Sequence, residues 1–293
     1  MVMSVVNGCV SPIIHYYQDQ IVVVSGATDG LHLLFASGLD RMRGKTVATI
    51  AARIAAGLNR RVRSVLLLPK EKISGIIRIP PCYCILASKL GPQSIAVDLG
   101  TGRDANFSHA LIRRFGMTCF GFEPTRRHHQ SLKALSEETG GRFRLFGYAV
   151  AGHRGTAIFH EVSGRESGSL ADDHANVLAY PFTRYSVETF GLSDIFRLLE
   201  VASIDVMKID VEGAEYDFFG RAEEAFLKRV GQFVVEFHHH CIRRYTRKDN
   251  QRVIDLLAKV GFTAYSVDGI NYLFYRSPSM LFRKSITCKE WQP

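Results

Sequence analysis

The sequence predicts an α/β fold in which helices cover a mostly parallel sheet and an antiparallel hairpin closes one edge. From about Gln93 onward, short apolar runs alternate with amphipathic helical patterns, the order typical of parallel strands joined by helices. The last helical pattern ends at Gly261, and the runs FTAYSV and NYLFYR after it predict the hairpin. A buried strand near residue 204 ends in carboxylates, which indicates a site where open α/β sheets bind their ligands.

The strands and helices of this fold follow from two periodicities. Apolar runs bounded by turn residues predict strands at 94–99, 118–123, 142–149, 204–210 and 232–237. Apolar residues that recur every three or four positions predict helices at 107–115, 132–135, 214–226 and 253–260. Most of these helices lie between two strands, as the crossover connections of a parallel sheet require.

Two segments depart from this alternation. Residues 152–190 are rich in Gly, Ser, Asp and His, which predicts a long loop and a candidate substrate lid. Residues 1–90 are predicted to form an α-rich extension of unassigned role, with helices within 31–59 and a strand pair within 65–79. Its glycine run at 26–30 resembles a dinucleotide turn, but His32 replaces the last glycine, so an ordinary loop is predicted. We expect a domain at 91–277 and a tail at 278–293.

Composition narrows the functional class. The 293 residues fit one large domain, and a hydrophobic content of 46% is usual for a soluble globular protein. No apolar run approaches the ~18 residues of a membrane span and no signal-peptide pattern is visible, so a cytoplasmic location is expected. The net charge of +9 favours anionic partners, but the basic clusters lack interleaved aromatic residues, so nucleic-acid binding is not predicted. The scattered cysteines are expected to be free thiols.

The strand at 204–210 is the most informative segment. Lys208 interrupts its apolar run, and Asp210, Glu212 and Glu215 crowd its carboxyl end. Alternation along a strand places Lys208 and Asp210 on the same face, where a buried ammonium group needs a carboxylate partner. The carboxyl end of this strand is therefore predicted to be part of a site.

A second set of residues predicts a nucleoside ligand. Gly100 and Gly102 follow the strand at 94–99 and allow a ligand to approach the backbone closely. Glu123 ends the next strand, where an acid binds ribose hydroxyls. The turn also satisfies the G-x-G-x-x-A dinucleotide pattern, so an NAD-dependent oxidoreductase is an alternative. Asp98 favours S-adenosylmethionine, because it would attract the ammonium group of that cofactor and repel a pyrophosphate.

Three passages together resemble the FkbM-type S-adenosylmethionine-dependent methyltransferases. They are VDLGTGRDANFS; GFEPTRRHHQSL, followed by YAVAGHRGTAIF; and IDVMKIDVEGAEYDFF, which leads to VVEFHH. The resemblance covers about 95–275 and implies a seven-stranded class I methyltransferase (Rossmann-like) fold. It also implies O-methylation of a hydroxyl on a sugar, glycan or small natural product.

The resemblance further implies the parts of the cofactor site. The methionine portion would contact Asp98, Gly100 and Gly102, the ribose Glu123, and the adenine would lie beside Ala149. The expected cofactor contacts are Asp98, Gly100, Thr101, Gly102, Glu123, Pro124, Ala149 and Asp210. Asp104 stands where relatives usually carry a third glycine, so a non-catalytic nucleoside-binding relative is a further alternative.

Methyl transfer to a hydroxyl requires a group that removes the hydroxyl proton. His238 ends the strand that follows the one ended by Asp210 and Glu212, and an imidazole titrates nearer neutrality than a carboxylate. We expect His238 to be the base and Asp210 to orient acceptor or cofactor, with Glu212 and Lys208 completing the catalytic set. Glu215 is expected to cap the following helix. No metal is predicted, because adjacent residues in 238–241 point to opposite faces of a strand.

Overall fold

A computed structural model of the chain describes residues 13–17, 20–27, 30–36, 75–79, 82–166, 168–266 and 268–276. The chain divides into two compact units, Met1–Glu71 and Lys72–Pro293. In the first unit three antiparallel strands pair in chain order: β1 (Ile13–Tyr17), β2 (Gln20–Ala27) and β3 (Gly30–Ala36).

This N-terminal sheet corrects two predictions for the extension. The predicted helix from residue 31 is wrong over β3, whose backbone pairs with β2 instead. Short apolar runs are ambiguous between helix and strand, and cross-strand pairing decides here. The loop predicted at 26–30 is wrong at its ends, because Gly26 and Ala27 belong to β2, Gly30 belongs to β3, and Ala27 pairs with Gly30. The helices predicted within 37–59 lie outside the described residues.

The second unit is built on a seven-stranded sheet. In chain order its strands are β6 (Ile95–Leu99), β7 (Thr118–Phe122), β8 (Phe143–Phe146), β12 (Ile204–Ile209), β13 (Val230–Glu236), β14 (Thr263–Ser266) and β15 (Asn271–Tyr275). Within the sheet they lie in the order β14-β15-β13-β12-β6-β7-β8. Five adjacent strands are parallel: β13, β12, β6, β7 and β8. Strand β15 runs antiparallel to both of its neighbours, β13 and β14. The predicted fold class, with its antiparallel edge hairpin, is confirmed.

Helices connect these strands. The first ends at Gly116, which adopts a left-handed conformation (φ 68°), and the last begins at the capping box of Thr246 and Asp249. The predicted single helix at 214–226 is two helices, because Glu223 is extended between them. The helices are α1 (Asn106–Phe115), α2 (His129–Glu138), α3 (Ala175–Ala179), α4 (Leu192–Leu199), α5 (Glu215–Gly220), α6 (Glu224–Leu227) and α7 (Arg247–Lys259).

Both faces of the central sheet are buried. Met207 and Phe233 belong to the core on one face, while Val206 and Val234 belong to the core on the other. A hairpin of β4 (Ile76–Ile79) and β5 (Tyr83–Leu86) packs into the second core. The strand pair predicted within 65–79 is therefore shifted along the chain, and β4 and β5 belong to the same compact unit as the sheet.

The insertion at 152–190 is not the predicted long loop. It contains β10 (Gly155–Val162) and β11 (Phe182–Phe190), which pair antiparallel over their full lengths, while β11 also pairs with β9 (Ala149–Val150). These strands bury few side chains, so their polar sequence concealed the alternation that signals a strand. Among the described residues, no helix is long and apolar enough to cross a membrane.

Candidate functional site

A cleft of about 280 Å³ lies at the carboxyl ends of β6, β7 and β12. The turn after β6, the end of β7, the start of β9 and part of the insertion form its walls. Most of the residues expected to contact a cofactor line it, together with Lys208 and Glu212 from the predicted catalytic set. The lining residues among the expected cofactor contacts are Gly100, Thr101, Gly102, Glu123, Pro124, Ala149 and Asp210.

The glycine turn packs directly against the end of β12. Gly100 has a φ of +75°, and a Cβ built on it would lie 1.8 Å from the carbonyl oxygen of Asp210. Gly102 also has a positive φ, of +66°, but a Cβ there would meet nothing within 4 Å. Gly100 thus permits the close approach of two strand ends, whereas Gly102 faces open space.

Glu123 is held over this turn. Its carboxylate accepts hydrogen bonds from the backbone N–H of Gly102 at 2.8 Å and of Thr125 at 2.9 Å. Burial raises the pKa of Glu123, and the bonds from Thr125 and Gly102 oppose that shift. The acid predicted from its place at the end of the second strand therefore lies in the cleft, beside the glycine turn. Its contact with a ribose remains a prediction.

Asp98 does not line the cleft, in contrast to the expected contact with the cofactor. Its fully buried carboxylate accepts a hydrogen bond from Ser108 Oγ at 2.7 Å and lies 3.2 Å from Lys208 Nζ. Lys208 also lies 3.2 Å from Asp210 Oδ2 and donates to the carbonyl of Gly100 at 2.7 Å. The side chain of Asp98 points beneath the turn, so it supports the turn through Lys208.

Lys208 therefore connects the glycine turn with Asp98 and Asp210. The ion pair with Asp210 that strand alternation predicted is present. Burial lowers the pKa of Lys208, but the carboxylates of Asp98 and Asp210 outweigh this effect and raise it above its usual range. The charged ammonium group thereby ties the glycine turn to the end of β12.

Sequence reasoning missed two residues, Tyr83 and Glu236, that lie beside Asp210. The Tyr83 hydroxyl, from β5, lies 2.7 Å from Asp210 Oδ2 and 3.2 Å from Glu236 Oε2. Burial raises the pKa of Glu236, and the negative charge of Asp210 raises it further, to about 7. Glu236 could have been found from its place two residues before His238, at the end of β13. No local signal marks Tyr83, which comes from the distant hairpin.

His238 lies behind Asp210 and Glu212 and is almost fully buried. Its Nδ1 is 2.7 Å from Glu215 Oε1, so the imidazole N–H donates to that carboxylate, and Nε2 faces the other two acids. Burial lowers the pKa of His238, but Glu215 and Glu212 raise it well above its usual value.

Glu215 and the insertion fix the segment after β12. Glu215 is fully buried and accepts the backbone N–H groups of Val211 and Gly213, each at 3.2 Å, besides binding His238. Glu212 has a left-handed backbone (φ 50°), an uncommon conformation for a residue with a side chain. Sequence reasoning did not predict that Glu212 contacts His174, a residue of the insertion.

His174 and Ser169 hold Glu212 from the insertion side. His174 Nε2 is 2.9 Å from Glu212 Oε2, and its Nδ1 accepts the backbone N–H of Asn176. Ser169 Oγ donates to the carbonyl of Glu212 at 2.7 Å. No spacing in the sequence links these residues to β12, because the contacts are tertiary.

Comparison with known proteins places the chain in a family. Residues 96–264 match the family described as the methyltransferase FkbM domain. The chain is 30% identical over 151 residues to the 2-O-methyltransferase NoeI of Sinorhizobium fredii, covering 47% of this chain and 60% of that protein. It is 28% identical over 182 residues to the 31-O-demethyl-FK506 methyltransferase FkbM of Streptomyces tacrolimicus, covering 54% and 70%. The chain therefore spans less than two thirds of the first of these relatives.

Among solved structures, the chain is similar to the fibrillarin pre-rRNA processing protein of Methanococcus jannaschii. The TM-score is 0.39 and the identity 11%, over 91% of this chain and 98% of that one. This likeness is too distant to indicate an activity. The family match, in contrast, covers more than half of the 293 residues. The chain belongs to the methyltransferase FkbM domain family, whose cofactor is S-adenosylmethionine.

Proposed function

We propose that this chain transfers a methyl group from S-adenosylmethionine to a hydroxyl of a sugar, a glycan or a small natural product. The observation that carries the proposal is the cleft, in which the glycine turn and Glu123 lie beside the carboxylates of Asp210 and Glu212. The names of both relatives refer to methylation at oxygen. The net charge of +9 extends the proposal to anionic acceptors.

The cleft residues fit an adenosyl cofactor. Gly100 and Gly102 would contact the methionine portion, Glu123 would accept the ribose hydroxyls, and Ala149 would lie beside the adenine. The open space beside Gly102 supports this placement, because no side chain there blocks a ligand. Asp98 contributes indirectly, since it holds Lys208 against the turn.

The acceptor hydroxyl is proposed to lie beside Asp210 and Glu212. A cofactor held by the glycine turn and Glu123 would supply the methyl group, which would pass to the acceptor oxygen as its bond to sulfur breaks, with S-adenosylhomocysteine as the leaving group. The hydroxyl proton must pass to a nearby group. We assign its removal to the whole cluster of Asp210, Glu212 and His238, because the carboxylates around His238 raise its pKa and make it a poor sole base near neutral pH.

The two alternatives from the sequence differ in what they bind and convert. An NAD-dependent oxidoreductase would bind NAD at the glycine turn, and the family assignment does not favour it. A non-catalytic relative would bind S-adenosylmethionine and transfer no methyl group. A labelled methyl donor, tested against a panel of hydroxylated glycans and metabolites, separates this relative from an active enzyme.

We expect S-adenosylmethionine and S-adenosylhomocysteine to raise the melting temperature, whereas NAD should not. A ligand at ~100 times its dissociation constant contributes ~2.7 kcal/mol. For a unit of this size that corresponds to a rise of about 5–10 °C. Parallel thermal melts with each ligand measure the effect. A rise with NAD alone would overturn the cofactor assignment.

Glu123→Ala is expected to weaken S-adenosylmethionine binding by ~1.5–3 kcal/mol, the range for hydrogen bonds to a charged group. Glu166→Ala is the matched control, because Glu166 also lines the cleft but is exposed. Its effect should stay within ~0.5 kcal/mol. Titration calorimetry measures both variants. Unchanged affinity in a folded Glu123→Ala protein would mean that the ribose lies elsewhere.

A further inference from the structure

We propose that Asp210, Glu212 and His238 bind a divalent cation of the first transition row, Mn²⁺ or Zn²⁺. One ligand atom from each residue lies within 4.8 Å of the other two. His238 Nε2 is 3.4 Å from Glu212 Oε2 and 3.6 Å from Asp210 Oδ1. Ligand atoms that are ~2.0–2.2 Å from a shared metal ion lie ~2.8–3.6 Å from one another. The two distances from His238 match that spacing, and the carboxylate oxygens of Asp210 and Glu212 lie within 4.8 Å of each other.

The imidazole of His238 is oriented as a metal ligand. It is 4% exposed, and its Nδ1–H donates to the fully buried Glu215. Metal-bound histidines usually donate their other ring N–H to a carboxylate in this way. Nε2 then faces Asp210 and Glu212, and within the described part of the chain it makes only ion-pair contacts of 3.4 Å or more.

The two carboxylate ligands are also fixed by hydrogen bonds. Tyr83 donates to Asp210 Oδ2 at 2.7 Å, which leaves Oδ1 turned toward His238. His174 donates to Glu212 Oε2 at 2.9 Å, and that oxygen keeps a further lone pair. Such supporting bonds orient ligands before a metal ion binds.

The local charge favours a cation. Four carboxylates lie within 4.0 Å of the ring nitrogens of His238, and their side chains are all at least three-quarters buried. Among the described residues, Lys208 is the only lysine paired with them and is shared with Asp98, while His174 contacts Glu212. Buried anionic charge that exceeds its cationic partners is costly, and a divalent ion would offset it. The four are Asp210, Glu212, Glu215 and Glu236.

The donor set indicates the kind of metal and its use. One imidazole nitrogen with two carboxylate oxygens suits Zn²⁺ or Mn²⁺ better than an all-oxygen site for Ca²⁺. Three protein ligands leave positions at which an acceptor hydroxyl can bind and become more acidic, and its proton would then pass to solvent, because the ligating side chains no longer accept it. This use rests on the proposed function, whereas metal binding does not. Sequence reasoning predicted no metal because adjacent residues in 238–241 point to opposite faces, whereas the proposed site uses one of those histidines with two carboxylates from the neighbouring strand end.

Titration calorimetry on the metal-stripped full chain tests the proposal with Mn²⁺ and with Zn²⁺. We expect one cation per chain, and His238→Gln and Glu212→Gln should each weaken its binding by ~10–100-fold or more. His153→Gln is the matched control, because His153 is an exposed imidazole in the insertion, outside the cluster. It should leave the affinity within about twofold, as expected for a surface substitution.

Thermal melts with S-adenosylmethionine separate metal binding from the proposed function. A retained shift shows that a variant is folded, and if His238→Gln does not fold, Glu212→Gln decides the question. The proposal is overturned if neither cation binds the unmodified chain at one site, or if folded cluster variants bind as tightly as that chain. A chain that binds Mn²⁺ or Zn²⁺ but shows no shift with S-adenosylmethionine would instead contradict the proposed function alone.

Discussion

Lys208→Met is expected to lower the free energy of unfolding by ~3–5 kcal/mol, because it leaves buried carboxylates without their partner. Lys208 Nζ lies 3.2 Å from an oxygen of Asp98 and 3.2 Å from an oxygen of Asp210, and Asp98 is fully buried. Methionine has a similar length but offers no charge and no hydrogen bond to the carbonyl of Gly100. Urea denaturation of the full chain at neutral pH measures the change.

The control for this change is Lys228→Met. Lys228 pairs with Glu224 at 2.9 Å, but both side chains are more than half exposed. An exposed pair of this kind contributes ~0–1 kcal/mol, so the control should be nearly neutral. Equal losses in the two variants would contradict the central role of Lys208. The loss in Lys208→Met should also shrink at acid pH, where protonated carboxylates need no cationic partner.

Gly100→Ala is expected to destabilise the chain by ~2–5 kcal/mol and to weaken S-adenosylmethionine binding. A left-handed backbone costs a residue with a Cβ ~1–2 kcal/mol, and overpacking costs a further ~1–3 kcal/mol. The added Cβ would lie 1.8 Å from the carbonyl oxygen of Asp210, so either the turn or the end of β12 must move. Denaturation and calorimetric titration with the cofactor measure the two effects.

Gly102→Ala separates backbone strain from crowding. Gly102 has a similar positive φ, yet a Cβ there would contact nothing within 4 Å. It should therefore show only the conformational cost of ~1–2 kcal/mol. If both alanine variants lose the same stability, the contact between the glycine turn and Asp210 does not constrain Gly100.

The sequence predicted the central sheet and much of the site because local patterns determine them. Apolar runs mark the buried strands, and strand alternation alone pairs Lys208 with Asp210. Tyr83 and His174 could not be predicted, because tertiary packing brings them to β12 from segments with no matching motif. The direction of Asp98 was missed for a related reason. The carboxylate of Asp98 pairs with Lys208, a residue of another strand. The place of Asp98 before the glycine turn therefore did not determine which group it contacts.

Because the β4–β5 hairpin packs against the sheet, the compact structural unit begins before the region that matches the family. The family match begins at residue 96, yet Tyr83 supplies the hydroxyl shared by Asp210 and Glu236. Without this hydroxyl, Asp210 and Glu236 would lose a donor that lies within 3.2 Å of both carboxylates. The surroundings of Asp210 can therefore be altered from outside the matched region. Exchange of this hairpin between relatives would change core packing at the same time, because Ile79, Tyr83 and Ile85 are buried.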